Sequence, residues 1–321
     1  MRYILFVIIV FCCTHAHAQV VTSFPSLVIK ASSRGMGMGD AGIACAEGTQ
    51  ELLYNPAKTA FTQYFHGFSV GYMPWLTGVA IDTRMMNAAY VGNAENMSWG
   101  VSLNYLNMGQ MDTRDDNGAT LTSYSAREYN IGGSLAIRLN DNHALSTTLR
   151  FLAQNAYLPN PTNTYSACGD IGYYGFSQVG GGASKIEWGA TVSNLGSAKL
   201  KLPATAGIGI GYVAQADHNS FTLSIDASRL LKDSWKSLRY VAGIEYGFQE
   251  QFFLRGGVSI ENISSGNRKF LSFGAGYKGF VSDQAWNIDF HYLVPFGNGS
   301  GLSPYQNGWG LTLGIHLGNF Q

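Results

Sequence analysis

The sequence predicts an all-β fold: a transmembrane antiparallel β-barrel of about fourteen strands behind an N-terminal plug segment. Three observations lead there. From about residue 65 onward the chain is a ladder of short segments in which apolar and polar side chains alternate. Phe221, Leu223, Ile225 and Ala227 alternate with Thr222, Ser224, Asp226 and Ser228, and Trp286, Ile288, Phe290 and Tyr292 with Asn287, Asp289 and His291. Only 12% of the 321 residues are charged, against roughly a quarter in ordinary soluble domains. The first residues read as an export leader. A continuous apolar face at period two suits lipid, which offers no hydrogen bonds to an open sheet edge, so the sheet must close on itself.

Residues 1–18 are expected to be a cleaved signal peptide. Arg2 supplies the positive start, Tyr3 to Cys13 form an apolar core too short to cross a bilayer, and Ala16-His17-Ala18 is a small-residue cleavage site. Lipid attachment at Cys12 or Cys13 is disfavoured, because bulky Ile9, Val10 and Phe11 stand where small residues are needed. The mature chain would then divide into a plug at 19–64 and a barrel at 65–321. After the leader no run of about twenty apolar residues occurs, which excludes helical spans. A net charge of zero without a basic block argues against nucleic acid, leaving outer-membrane lipid as the expected surroundings.

The expected strands are 65–73, 79–91, 97–107, 127–139, 143–157, 166–177, 184–194, 204–213, 219–230, 239–248, 251–261, 269–277, 284–294 and 306–317. Most are near the ten or so residues that a tilted membrane strand needs. Connections alternate in length: brief turns such as Asn140 to Asn142 on one side, longer stretches such as Met108 to Ala126 and Pro295 to Tyr305 on the other. That asymmetry is the one between periplasmic turns and external loops. A soluble sandwich or propeller also alternates, but the aromatic residues here, among them Tyr72, Tyr90, Trp99, Tyr277, Trp286 and Trp309, fall toward strand ends, where belts meet lipid headgroups.

The stretch upstream of the barrel differs in character. Gly37, Gly39 and Gly42 satisfy G-x-G-x-x-G literally, yet no βαβ unit surrounds them, so a dinucleotide or phosphate cradle is rejected. The glycines fit a backbone folded tightly inside a lumen. The run Ser33-Arg34-Gly35-Met36-Gly37-Met38-Gly39-Asp40-Ala41-Gly42 is followed by Tyr54-Asn55-Pro56-Ala57-Lys58 and then by Tyr72-Met73-Pro74-Trp75-Leu76. Together these resemble the amino-terminal signature of the PorV type within the PorV/PorQ family of Bacteroidetes. The resemblance implies a FadL-like outer-membrane barrel of the type IX secretion system. It further implies a shuttle that takes cargo carrying a conserved C-terminal domain from the translocon to the attachment machinery. It carries over a plug motif of Gly35, Gly37, Gly39, Asp40, Gly42, Asn55, Pro56, Ala57 and Lys58.

No catalytic constellation emerges and no cofactor is expected. Nothing selects a serine nucleophile for either His291 or His316, and two histidines near Asp289 make a weak metal set, better read as luminal hydrogen bonding. Inward positions are expected at Lys185, Glu187, Thr191, Asp226, Glu245, Arg255, Asp289 and Thr312. Such a polar lumen disfavours the alternative function, transport of a hydrophobic small molecule, although Met36, Met38, Leu52 and Leu53 could line a small apolar pocket or simply pack. The run Asp112 to Asp116 lacks the spacing of an EF-hand and reads as a solvated turn. Whether Cys45 and Cys168 pair is left open by the sequence. For cargo, the expected receiving surface is the external loops, with Tyr124, Trp235 and Tyr305 as aromatic anchors.

Overall fold

The computed structural model describes residues 24–45, 48–76, 82–157, 161–197, 200–231, 237–261, 268–282, 284–297, 303 and 305–319. The expected leader at 1–18 and Trp235 lie outside these residues. Among them fourteen strands form one closed antiparallel barrel: β1 (Tyr64–Pro74), β2 (Arg84–Ala94), β3 (Met97–Arg114), β4 (Thr120–Asn140), β5 (His143–Tyr157), β6 (Pro161–Val179) and β7 (Ser184–Gly196), then β8 (Thr205–Ala216), β9 (Asn219–Leu230), β10 (Arg239–Phe248), β11 (Phe252–Glu261), β12 (Phe270–Val281), β13 (Gln284–Pro295) and β14 (Trp309–Asn319). Each strand pairs with its neighbours in sequence, and β1 closes on β14 from Tyr64↔Asn319 to Tyr72↔Leu311. Closure leaves no edge strand, the condition for a sheet in lipid.

Burial alternates along most of the barrel wall as the sequence pattern requires. In β9, Thr222, Ser224 and Asp226 are buried while Phe221, Leu223 and Ile225 are exposed. The outward face is apolar all round, with Leu149 at 74% exposure, Leu254 at 66% and Ile208 at 65%. Water could not stabilise so much open hydrocarbon, so this is the lipid face. Aromatic rings border it at both ends. Tyr90 with Trp99 and Tyr277 with Trp286 stand 5.0 and 5.2 Å apart near the short turns, and Tyr72 lies 5.9 Å from Trp309 near the long loops. The inward assignment of Glu187, Asp226, Glu245, Arg255, Asp289 and Thr312 holds: all six are buried.

The structure departs from the expected boundaries chiefly on the long-loop side. The stretch 108–126 is not a loop: β3 and β4 continue past an irregularity at Asn107/Gln110 and stay paired from Gln110↔Ser125 to Arg114↔Thr120. The cause is a tight tip. Gly118 N–H donates to Asp115 O at 2.9 Å, and the Asp115 carboxylate accepts from Asn117 and Ala119 N–H at 3.0 and 2.8 Å. An Asx-type turn of this kind nucleates a hairpin, and it engages the carboxylate considered for calcium. Strand β2 begins at Arg84 rather than 79, where Trp75 N–H donates to Thr83 O at 3.1 Å across the first connection.

Wall side chains alone cannot fill a lumen of this width. The segment upstream of β1 lies against the inward faces instead. It forms 3-10 turns at Pro25–Val28, Thr49–Leu53 and Pro56–Phe61 and one short helix, α1 (Ser33–Gly37). Helix α1 packs on β11 to β14, Thr49–Leu53 on β1 to β3, and Pro56–Phe61 on β2 to β6. Near the long-loop end, Ile29 and Met36 join Met73, Trp75, Met85, Leu106, Phe270, Leu293 and Tyr305 in a dry cluster. Toward the short turns, Ala57 and Ala60 pack with Ala136, Ala144 and Tyr174. Met38 packs with Ala41 and Val241, and Leu52 with Tyr64, Ala89 and Val91, so these side chains are packing residues.

Candidate functional site

The most constrained site is where the glycine-rich run meets the wall. Ser32 caps α1, its Oγ accepting from Gly35 N–H at 3.4 Å, and the chain then turns sharply: Asp40 N–H donates back to Gly35 O at 2.8 Å. Gly39 takes φ +77° there, and a Cβ on it would lie 2.8 Å from the Val258 backbone, so only glycine fits. Gly35 and Gly42 leave room for the ring of Tyr54, which a Cβ on either would strike. Tyr54 in turn donates its hydroxyl to Asp40 Oδ1 at 2.7 Å. Burial, then the adjacent Asp40 charge, push the Tyr54 phenol far above its ordinary value, keeping it a donor. The two halves of the motif thus clasp each other.

Both halves also bond to the barrel. Asp40 Oδ2 pairs with Arg239 Nη1 at 2.8 Å, and Arg239 Nε donates to Ser259 Oγ at 2.9 Å. Ser272 Oγ accepts from Gly39 N–H at 2.8 Å and donates to Gly37 O at 3.0 Å. Asp226 Oδ2 accepts from both Gly42 and Ile43 N–H, at 2.8 and 3.0 Å. Arg34 grips Glu245 with two nitrogens at 3.0 and 2.7 Å; Arg255 bridges the same Glu245 at 2.5 Å to Asp289 at 2.7 Å. These charges face no lipid; the arginines are paired with carboxylates and Asp226 is held by two backbone N–H donors, as a membrane protein's buried charges require.

The Asn-Pro-Ala-Lys motif works similarly. Asn55 caps the 3-10 turn, its Oδ1 accepting from Ala57 N–H at 3.3 Å with Pro56 at the first position. Its Nδ2 donates to Ile43 O at 3.0 Å and Tyr173 O at 2.9 Å, joining segment to segment and segment to wall. Lys58 is buried, with its ammonium 5.7 Å from the Tyr174 ring. Tyr174 OH and Lys185 Nζ both bind Glu187, at 2.9 and 2.6 Å. On the side of the short turns these groups open onto a cavity of about 570 Å³, whose lining includes Arg34, Lys58, Lys185, Glu187, Asp289 and Thr312.

The cysteines do not meet. Cys45 donates to Glu187 Oε2 at 3.1 Å, and burial followed by that carboxylate raises its thiol far above the ordinary range. Cys168 packs with Phe24, Leu27, Leu152 and Leu202. Nor do the histidines converge: His316 stacks on Tyr64 with centroids 4.4 Å apart, whereas His291 is fully buried with both ring nitrogens outside any hydrogen bond, against the expectation of luminal bonding. Tyr305 is corrected as a surface anchor. It is 3% exposed, edge-on to Trp75 at 5.0 Å and tilted on Phe270 at 4.9 Å, and burial pushes its phenol up to about 12. Tyr124 lies on the projecting part of β4, opposite Met111, not in a loop. Sequence reasoning missed Arg34 and Arg239. The signal available was charge itself, since an arginine at a luminal position must have a carboxylate partner.

A profile described as type IX secretion system protein PorV matches residues 13–205. The chain belongs to the PorV family. The match takes in both halves of the clasp and the wall as far as the start of β8. No curated protein sequence matches. Among solved structures, a FadL homologue from Pseudomonas aeruginosa aligns with a TM-score of 0.52 at 13% identity, covering 89% of this chain and 97% of that one. The toluene transporter TodX of Pseudomonas putida gives 0.56 at 10% identity, covering 93% and 98%. The TodX deltaS2S3 mutant, a monoaromatic hydrocarbon channel, gives 0.59 at 11% identity, covering 90% and 99%. At such identities these likenesses establish a shared FadL-like fold. Fold and family together make this PorV-family chain an outer-membrane barrel of type IX secretion, in a family of barrels rather than of enzymes.

Proposed function

We propose that this PorV-family barrel is a secretion shuttle. It takes exported cargo carrying a C-terminal domain from the type IX translocon and hands it to the attachment machinery, while residues 19–64 act as a plug. The observation that carries this reading is the family match over 13–205. The luminal geometry supports it, because a lumen occupied by a hydrogen-bonded segment leaves the external rim for client handling. On that rim the β3–β4 hairpin extends past its neighbours: β2 pairs with β3 only as far as Asn107, and β5 with β4 only as far as Arg127. Tyr124 on this hairpin and Trp235 in the connection from β9 to β10 are the anchors to test.

The test is quantitative mass spectrometry of proteins and lipids co-purified with a tagged copy from its own outer membrane, with an unrelated barrel as control. Enrichment of cargo, translocon or attachment components is expected, and alanine at both Tyr124 and Trp235 should reduce cargo recovery severalfold. Recovery unchanged by the double substitution would remove the anchor assignment. The FadL-like fold supports a second reading, passage of a hydrophobic small molecule. Its mark would be a co-purified apolar ligand without secretion partners. The charged lining of the cavity, Arg34, Lys58, Lys185, Glu187 and Asp289, weighs against it.

A further inference from the structure

The bonds that hold the luminal segment are spread around the wall. Side chains or carbonyls of β1, β2, β3, β4, β6, β7, β9, β10, β12 and β14 hydrogen-bond to residues between Ser26 and Ala60. Among the described residues, the passage from the segment into β1 is itself bonded to the wall. Asn93 Nδ2 holds the exit at Thr62 Oγ1 and Tyr64 O, at 2.7 and 2.8 Å. Outward swing would break the Arg34–Glu245 and Asp40–Arg239 pairs and remove both N–H donors from Asp226 together, leaving Glu245 with Arg255 and Arg239 with Ser259, and buried charges keep their energy only while paired. The apolar cluster around Met36, Trp75, Phe270 and Tyr305 lies toward the long loops, and the 570 Å³ cavity on the opposite side is lined at its inner end by Ser32 and Arg34 of the segment.

We propose that the segment is a permanent internal strut, not a gate, and that the barrel works with its lumen shut. The shuttle reading concerns who binds at the rim; this inference concerns what the lumen does, and it fails or stands separately. A hydrophobic-solute transporter would need the strut to move.

The wall offers a lock. A Cβ placed on Gly211 would lie 3.4 Å from Cys45 Cβ, at the short end of disulfide geometry. The Cys45 sulfur now fills that space and would turn to meet the new thiol. Gly211→Cys in the full chain, reconstituted in planar bilayers, is therefore compared oxidised and reduced. Both states should show the same absence of stepwise conductance. In cells carrying it as sole copy, cargo secretion should differ less than twofold between them. Opening events in the reduced protein that vanish on oxidation would overturn the strut, whatever the client. So would a fivefold or greater loss of secretion that reductant restores. If Gly211→Cys fails to assemble, Ser33→Cys with Thr312→Cys provides the same comparison, since the parent hydroxyl oxygens are 3.0 Å apart.

Discussion

Replacing Arg255 with methionine tests whether the luminal ion pairs hold the barrel together. The side chain is 3% exposed and serves two carboxylates, Glu245 Oε2 at 2.5 Å and Asp289 Oδ1 at 2.7 Å. Methionine keeps much of the stem's packing and removes the charge, so the penalty comes from the carboxylates left behind. Removing one partner of a buried pair costs about 3–5 kcal/mol. Two features favour the low end: Glu245 retains the two-nitrogen grip of Arg34, and Asn287 still donates to Asp289 Oδ2 at 2.6 Å. Both Arg255 and Asp289 also line the cavity, whose open side lowers the cost of an unpaired charge relative to a sealed core. The expected loss is about 3 kcal/mol, roughly a hundredfold in the folded-to-unfolded ratio. Equilibrium urea unfolding of the purified barrel in micelles, read by tryptophan fluorescence, measures it. Adding Asp289→Asn removes the orphaned charge and should recover about half of the loss. A single variant within about 0.5 kcal/mol of the parent, or a double variant less stable than the single, would refute the reasoning.

Lys30 supplies the pH dependence. Burial, followed by the nearby Arg150 charge, lowers its ammonium from 10.5 to about 8. A lysine whose folded-state value is depressed costs stability while protonated in both states, below about 8, and that cost fades as pH rises to its ordinary value. Lys30→Met should therefore exceed the parent by roughly 2 kcal/mol at neutral pH, after allowance for partial exposure. The advantage should vanish near pH 10.5 in paired unfolding curves. Gly39→Ala should cost roughly 2 kcal/mol or more, from positive φ plus the clash with Val258. Gly118→Ala, at φ +83° with open space around it, should cost about 1 kcal/mol or less in the same urea-unfolding measurement. Asn55→Ala removes the cap and two donor bonds, and about 2 kcal/mol is expected, with the Asp variant recovering only the cap.

The barrel was legible because its signal is local and repeats. Most strands alternate, and several tight turns carry a residue at positive φ between paired strands, as at Asp217, Gln249 and Ser282. Strands β5, β9 and β10 begin and end where the pattern says. The β3–β4 extension was not legible, because Gln110 to Ser125 are mostly polar on both faces, with only Met111, Leu121 and Tyr124 breaking the run, and lose the regular apolar half of the alternation. The motif residues were visible as a family signature, but their work was hidden. Asp40 meets Arg239 and Arg34 meets Glu245 across about two hundred residues of sequence, and nothing local encodes such a pair.

By itself, then, the sequence determined which face of every strand meets lipid, since a one-residue register slip would turn all those side chains inward. It also determined that the charges at Asp226, Glu245, Arg255 and Asp289 point away from lipid. Only the tertiary structure decided what they meet. Closure of β1 onto β14 brings distant strands around one narrow lumen, and the glycine run approaches the wall closely enough for its backbone to bond there. Tyr305 shows the same division: its aromatic character was readable in the chain, but its place beneath Trp75 and Phe270 depended on where the β13–β14 connection folds back.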